Sequence, residues 1–409
     1  MQFNVEWLKQ WVAIDLAPAR LAERLTAAGL EVDGVRPVAA DFTGVVVAEI
    51  EECGPHPAAD KLSLCTVNDG SGERLQIVCG APNARAGMRV PLARVGAELG
   101  PDFRIKRAKL RGVESFGMLC SARELGLSED HGGLLPLPDD APLGLSIREY
   151  LNLDDNLITL KLTPNRADCL SLTGIAREVA ALTSAPLTLP VIEPVAAVHE
   201  ETRGVILDAP AACPRYCGRI VRGVNAKAAT PDWMKQRIER CGVRAISALV
   251  DVTNYVMLEL GQPLHAFDLD RLGPAVRVRR ARAGERLVTL DGRDRPLDPE
   301  VLVIADAMMP VGLAGVMGGA DTEGTARTTR LLLECAWFDP RRIRRGARAL
   351  GLATEASKRF ERGVDPLGGP AAAARFLALL AEVSPGMRLG AARSLVHGPA
   401  PAAPLTLRG

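Results

Sequence analysis

The sequence predicts an α+β chain of several domains: a small helical opening, a β-rich module inserted into it, and a larger mixed α/β domain behind. Three observations lead there. A chain of 409 residues is long for one core and suggests two to four domains. Two stretches with helical periodicity flank a run of short strand patterns, which is how an insertion reads. Beyond about Thr202, strand and helix patterns alternate. At 47% hydrophobic and 24% charged residues, the chain can bury real cores and is not a disordered polymer.

Residues 1–39 read as the helical opening. Asn4 is placed to cap a helix carrying Trp7, Leu8, Trp11 and Val12 on one side. A second helix, over 18–28, starts at Pro18 and stops before Gly29. Residues 152–200 supply the rest of this split domain. There 160–184 reads as helix, opened by Thr163, Pro164 and Asn165, with Leu172, Ile175, Ala176 and Val179 on one face. Residues 186–201 are Pro- and Ala-rich and read as a linker.

The inserted module, 40–151, has strand candidates at 45–50, 62–67, 74–79, 89–93 and 107–110. Asn68-Asp69-Gly70 is a turn signal between two of them. Five short strands closing on themselves suit an OB-fold β-barrel, a common holder of oligonucleotides. Arg104, Lys106, Arg107, Lys109 and Arg111 crowd one stretch. They either track phosphates, with salt-dependent binding, or coat a solvated strand. Phe103 and Phe116 are the nearby aromatics, so backbone and shape contacts are expected ahead of base stacking.

In the third domain, 202–398, Thr230 is placed to cap a helix over 231–240, with Gly242 beyond its end. The apolar run 301–305 predicts a strand buried on both faces, and 290–293 a turn. Asp339 and Pro340 open a helix whose apolar stripe is Ile343, Ala347 and Leu350, with arginines at 341, 342, 344, 345 and 348 off it. An Ala-rich helix follows over 370–383. Residues 399–409 have linker composition, as if a further, truncated domain began there.

A net charge of +1 gives no global pull toward nucleic acid, so any RNA site must be a local patch. The start lacks a signal-peptide core, and no uninterrupted apolar run reaches ~18 residues. A soluble cytoplasmic protein without membrane contact is expected. Nine cysteines without a C-x-x-C pair argue for reduced thiols and no metal site. No phosphate-binding glycine loop and no G-x-S-x-G elbow is present.

Chemistry concentrates in 244–268, where polar side chains stand singly among apolar ones: Asp251, Thr253, Asn254, Tyr255, Gln262, His265 and Asp268. Apolar walls with a few donors and acceptors make a small-molecule pocket. The same residues would equally serve as caps and turns. Glu334 sits inside the apolar run 331–336, where a carboxylate needs a purpose. Either it reads a ligand or it forms a buried ion pair with one of the many arginines.

The run DVTNYVMLELGQPLHAFD (251–268) resembles the most characteristic stretch of the β subunit of bacterial phenylalanyl-tRNA synthetase. LAGVMGGADTEG (313–324), LLLECAWFDP (331–340) and ATEASKRFERGVDP (353–366) resemble the same family in the same order. GPHPAADKL with IVCGAPN and LRGVESFGMLCSARELGL resemble its tRNA-binding module, and TPNRADCLSLTGIAREVAAL the segment between. The resemblance implies that 202–398 is an editing domain hydrolysing mischarged Tyr-tRNA(Phe). It implies catalytic roles for His265, Glu334 and Thr354, with Glu334 reading the tyrosine hydroxyl. It gives substrate contacts to Arg244, Thr253, Asn254, Gly315, Gly318 and Ala356, the glycines letting backbone approach the ring. It gives tRNA contacts to Lys61 and to the basic stretch Arg104–Arg111. It implies tRNA(Phe), tyrosine or phenylalanine, and an α subunit in an α2β2 enzyme as partners. No cofactor is expected in this chain, and ATP and Mg²⁺ belong to the full enzyme. Ala245, Ser247 and Cys335 depart from the usual pattern while flanking the named residues. The competing expectation is an RNA-binding or structural piece that hydrolyses nothing alone.

Overall fold

The structure, a computed structural model, describes residues 1–128 and 132–397; the expected linker at 399–409 lies outside them. The chain forms two units: Met1–Gly34 with Ile158–Gly409, and Val35–Leu157. The second unit overlaps the module expected at 40–151, its limits lying within six residues of 39/40 and 151/152. No division falls near 200. The opening and the third domain share one hydrophobic core, in which Phe3, Trp7 and Leu8 join Val252, Phe376 and Leu380.

The opening is less helical than its periodicity suggests. Gln2–Asn4 is a strand, paired with Asn156–Lys161, which in turn pairs with Glu31–Pro37. Residues 160 and 161 thus belong to a strand, and the following helix begins only at Leu172, capped by the Ser171 hydroxyl accepting from Gly174 N. Leu172, Ile175, Ala176 and Val179 are buried as the stripe requires. Asn4 precedes the helix Val5–Lys9 without a capping side-chain bond. The helix Pro18–Ala27 ends before Gly29, whose φ of +86° suits glycine.

The rest of this unit is built on two larger sheets, with a small hairpin of Arg286–Val288 and Asp294–Pro296 beside them. A four-stranded antiparallel sheet runs in the order His265–Asp268, Arg330–Trp337, Arg215–Arg222, Arg388–Val396. A five-stranded sheet runs Gly204–Leu207, Ala275–Arg280, Leu302–Ala305, Pro310–Leu313, Met317–Gly318. Alternation along Arg330–Trp337 sorts its side chains. Leu331, Leu333 and Cys335 enter the core shared with the helices Ala248–Leu260 and Gly369–Val383. Leu332 and Ala336 enter a second core shared with the five-stranded sheet. Burial on both faces explains the unbroken Leu331-Leu332-Leu333 run; each such leucine contributes about 1.5–3 kcal/mol.

Two helix starts differ in their chemistry. Asp339 caps Pro340–Ala349 by accepting from Arg342 N at 3.0 Å, as expected. Thr230 does not cap Asp232–Arg240; its hydroxyl donates to Asp251 instead.

The inserted unit holds an antiparallel sheet ordered Arg74–Cys79, Ala59–Asn68, Thr43–His56, Met88–Glu98, Gly117–Leu119. Its two edge strands are not joined by a ladder among the described residues. Phe116 N donating to Gln76 O at 2.9 Å and Val78 N donating to the Ser115 hydroxyl at 3.1 Å bridge that side. The sheet is thus open where a closed barrel was expected. Ala108–Leu110 and Val113–Ser115 form a separate hairpin. Its two-residue turn, Arg111-Gly112, has φ of +50° and +91°, both positive as a type I′ turn requires.

Candidate functional site

The face that Leu332 and Ala336 share is the one that matters. Glu334 lies between them on the same face, so the strand that buries three leucines also drives a carboxylate into an apolar interior. His265 stands directly opposite Glu334 on one neighbouring strand. Tyr216 approaches from the strand on the other side, and its hydroxyl donates to Glu334 Oε2 at 3.1 Å.

Between the two sheets is a small, open-mouthed cavity of about 70 Å³. Glu334 and His265 both line it, together with Phe267, Met317, Gly318, Ala356 and further apolar residues. Glu334 is 7% exposed, and burial pushes its carboxyl up to about 7 against the opposing pull of the Tyr216 bond. Its partner is thus a tyrosine, and none of the arginines among the described residues pairs with it. Burial lowers His265 to about 4, so the imidazole is neutral near pH 7. Its Nε2 is buried without a hydrogen-bond partner. Such an orphaned nitrogen in a cavity wall is what a site shaped for a ligand or water shows.

Glycines make room for this. A Cβ at Gly318 would lie 2.5 Å from His265 Cε1 and 2.9 Å from Nε2. Gly315 has φ of +67°, and a Cβ there would stand 3.0 Å from Ile343, Phe338 and Phe360.

Of the residues expected to act, the structure brings His265, Glu334, Gly315, Gly318 and Ala356 to one cavity. Thr354 is engaged nearby: its hydroxyl donates to Val316 O at 2.8 Å and accepts from Ser357 N at 3.0 Å, capping Glu355–Phe360. Arg244 is exposed ahead of the helix Ala248–Leu260. Thr253 and Asn254 are half-buried on that helix, with the Thr253 hydroxyl donating to Val250 O. None of these four is among the cavity-lining residues. Several other polar residues of 244–268 serve the fold. Asp251 accepts from Ile246 N, Asp268 from Asp270 N and Thr328, and Gln262 donates to Ala336 O. Tyr216 was not singled out by its sequence. The available signal was the alternation Tyr216, Gly218, Ile220, which turns a phenol toward the apolar interior. No group of three or more His, Cys, Asp or Glu among the described residues is placed to hold a metal.

In the other unit, Lys109 and Arg111 are exposed on the hairpin, with Arg104, Lys106 and Arg107 exposed just before it and Lys61 exposed on its own strand. Arg107 is tied to Glu114 and lies over the Phe116 ring at 4.7 Å.

Comparison with known proteins follows this division. Residues 45–146 match a family described as "Putative tRNA binding domain", and residues 212–385 match the B3/4 domain. The chain is 60% identical over 365 residues to the phenylalanine–tRNA ligase beta subunit of Aromatoleum aromaticum, covering 89% of this chain and 46% of that protein. It is 55% identical over 386 residues to the subunit of the same name from Dechloromonas aromatica, covering 94% and 49%. The chain therefore spans about half the length of these relatives. A solved N-terminal fragment of the phenylalanyl-tRNA synthetase beta subunit from Pyrococcus horikoshii aligns at 16% identity and a TM-score of 0.31, over 58% of this chain and 63% of that one, too slight a likeness to bear on the fold.

Proposed function

We propose a function from one premise: the chain is related along nearly all its length to the beta subunit of phenylalanine–tRNA ligase, and carries a tRNA-binding module and a B3/4 domain. In this reading the B3/4 cavity removes tyrosine from mischarged tRNA(Phe). The observation that carries it is a buried carboxyl and an unpartnered imidazole lining one apolar cavity.

Tyrosine and phenylalanine differ by one hydroxyl. A pocket built only for the phenyl ring discriminates poorly against the added oxygen, by about 100-fold in comparable cases. A second site that welcomes the hydroxyl restores accuracy. Glu334 offers an acceptor for it. Phenylalanine would leave that acceptor buried and unpaired, at about 1–3 kcal/mol. The tyrosyl ester is already activated, so a positioned water suffices. Neutral His265, its Nε2 otherwise unbonded, holds that water at the ester carbonyl. Water adds, the ester C–O bond breaks, and tyrosine and the free ribose hydroxyl leave. Gly315, Gly318 and Ala356 keep the wall low enough for the ring. Thr354 supports the wall through Val316, while Arg244, Thr253 and Asn254 meet the tRNA end as the cavity mouth receives it.

We extend the proposal to the inserted unit. Its sheet is a member of the OB-fold class, and its basic hairpin with Lys61 holds tRNA phosphates. In the complete protein an α subunit, ATP and Mg²⁺ supply aminoacylation in the cytoplasm. No helix of the described residues is long and apolar enough to cross a membrane.

Incubating the chain with Tyr-tRNA(Phe) and Phe-tRNA(Phe) tests the reading. Faster loss of the tyrosyl ester is expected. Background loss of both, with tRNA still bound in a gel shift, would assign the chain to RNA binding alone.

A further inference from the structure

We infer that Tyr216 is the positioning residue of this cavity: by donating to one oxygen of Glu334, its hydroxyl reserves the other oxygen for a ligand phenol. The inference rests on the proposed cavity and goes beyond it, since Tyr216 is not among the cavity-lining residues.

The sheet order carries the argument. Glu334 sits on a strand with His265's strand on one side and Tyr216's on the other. The carboxylate is thus held between a group that faces the ligand space and a group that stands behind it. Tyr216 is 1% exposed. Among the described residues its hydroxyl is the only group bonded to the Glu334 side chain, and the bond reaches Oε2 alone. A carboxylate has about four lone-pair sites, so Oε1 retains full acceptor capacity. A buried carboxylate with no donor would swing toward whatever donor or solvent it could reach. One fixed bond removes that freedom and presents the second oxygen in a single direction. The bond is also chemically the same as the one expected from the ligand, phenol to carboxylate, so the pair is already adapted to that donor. The Tyr216 bond further draws the carboxyl toward its charged, acceptor form, against burial.

The test compares Tyr216→Phe with the unaltered chain. Phe keeps the ring and removes only the donor. The KM for Tyr-tRNA(Phe) hydrolysis should rise about tenfold with kcat nearly unchanged. L-tyrosine binding by calorimetry should weaken by a similar factor, while L-phenylalanine binding stays as it was. In a Glu334→Ala background, Tyr216→Phe should add nothing, because its effect runs through that carboxylate. Equal losses for tyrosine and phenylalanine, additive losses in the double variant, or no loss at all would each overturn the inference. Should Tyr216→Phe fail to fold, 3-fluorotyrosine incorporated into the unaltered sequence gives a second readout. The resonance from position 216 should move on adding L-tyrosine and not L-phenylalanine, and an unmoved signal overturns the inference. If the unaltered chain neither hydrolyses the ester nor binds L-tyrosine, the cavity reading itself falls.

Discussion

Glu334 and Arg107 both put an ionisable group in or beside a strand, and the protein treats them in opposite ways. Glu334 is driven inward by strand alternation, loses its water, and keeps one neutral donor. Arg107 lies at the foot of an exposed hairpin among three more cations, with Glu114 and the Phe116 ring as company. Burial makes the first group selective, because any partner it lacks is felt at full strength. Exposure makes the second adaptable, because solvent screens it and salt competes with it. A reader of one hydroxyl and a holder of many phosphates are different physical devices.

The largest effect that would break this contrast comes from backbone space. Gly318→Ala places a Cβ 2.5 Å from His265 Cε1, so the imidazole must shift from its place in the cavity wall. Hydrolysis of Tyr-tRNA(Phe) should fall about 100-fold in a labelled-tyrosine release assay, since a small misplacement of catalytic groups costs that much. Unchanged turnover would mean that His265 plays no part. His265→Ala should cost somewhat less, about tenfold to a hundredfold in kcat, as the cavity keeps its carboxyl.

A third test is thermodynamic. The folded carboxyl of Glu334 lies at about 7 against an ordinary 4.5. A raised value favours the fold fully below about 4.5 and loses that contribution as pH rises through about 7. His265 acts in the opposite sense: lowered to about 4 from 6.5, it favours the fold above 6.5 and less as pH falls through 4. Urea denaturation of Glu334→Gln at pH 5 and pH 8 isolates the first contribution. The variant should gain roughly 1–3 kcal/mol relative to the parent between the two conditions. An identical pH profile would show that the carboxyl titrates normally.

The smallest effects belong to the hairpin. Lys106→Ala or Lys109→Ala should weaken tRNA binding a few-fold and flatten the plot of log affinity against log salt by about 0.7–0.9 per residue. Arg107→Ala should flatten it less, because Glu114 already neutralises that cation. Equal, salt-independent losses at all three positions would undo the phosphate reading.

Local features of the fold were legible. The strand at 74–79 and the turn at Asn68–Gly70 follow from alternation and turn chemistry, which act within a few residues. The helix from Pro340 follows from its cap and stripe in the same way. The helix expected from 160 begins at 172, because Leu160 answers to a strand at the far end of the sequence. Periodicity cannot see that partner. The same limit governs the site. Glu334 stood out as a charge in an apolar run, and His265 as an imidazole in a polar-studded one. That they face each other is a matter of register, and the bond from Tyr216 spans 118 positions. Thr253 and Asn254 were read from polar spacing and, like Arg244, from resemblance; none of the three is among the residues lining the cavity.

The pairing of Gln2–Asn4 with Asn156–Lys161 has a consequence for synthesis. During synthesis Gln2–Asn4 stands unmatched until the stretch through Asn156–Lys161 has been made. The intervening Val35–Leu157 is contiguous and can complete itself as it leaves the ribosome. Trp7 and Leu8, fully covered in the finished protein, meanwhile wait in water. A pause in translation just before residue 156 would lengthen that wait and leave the segment around Trp7 open to chaperones or to aggregation.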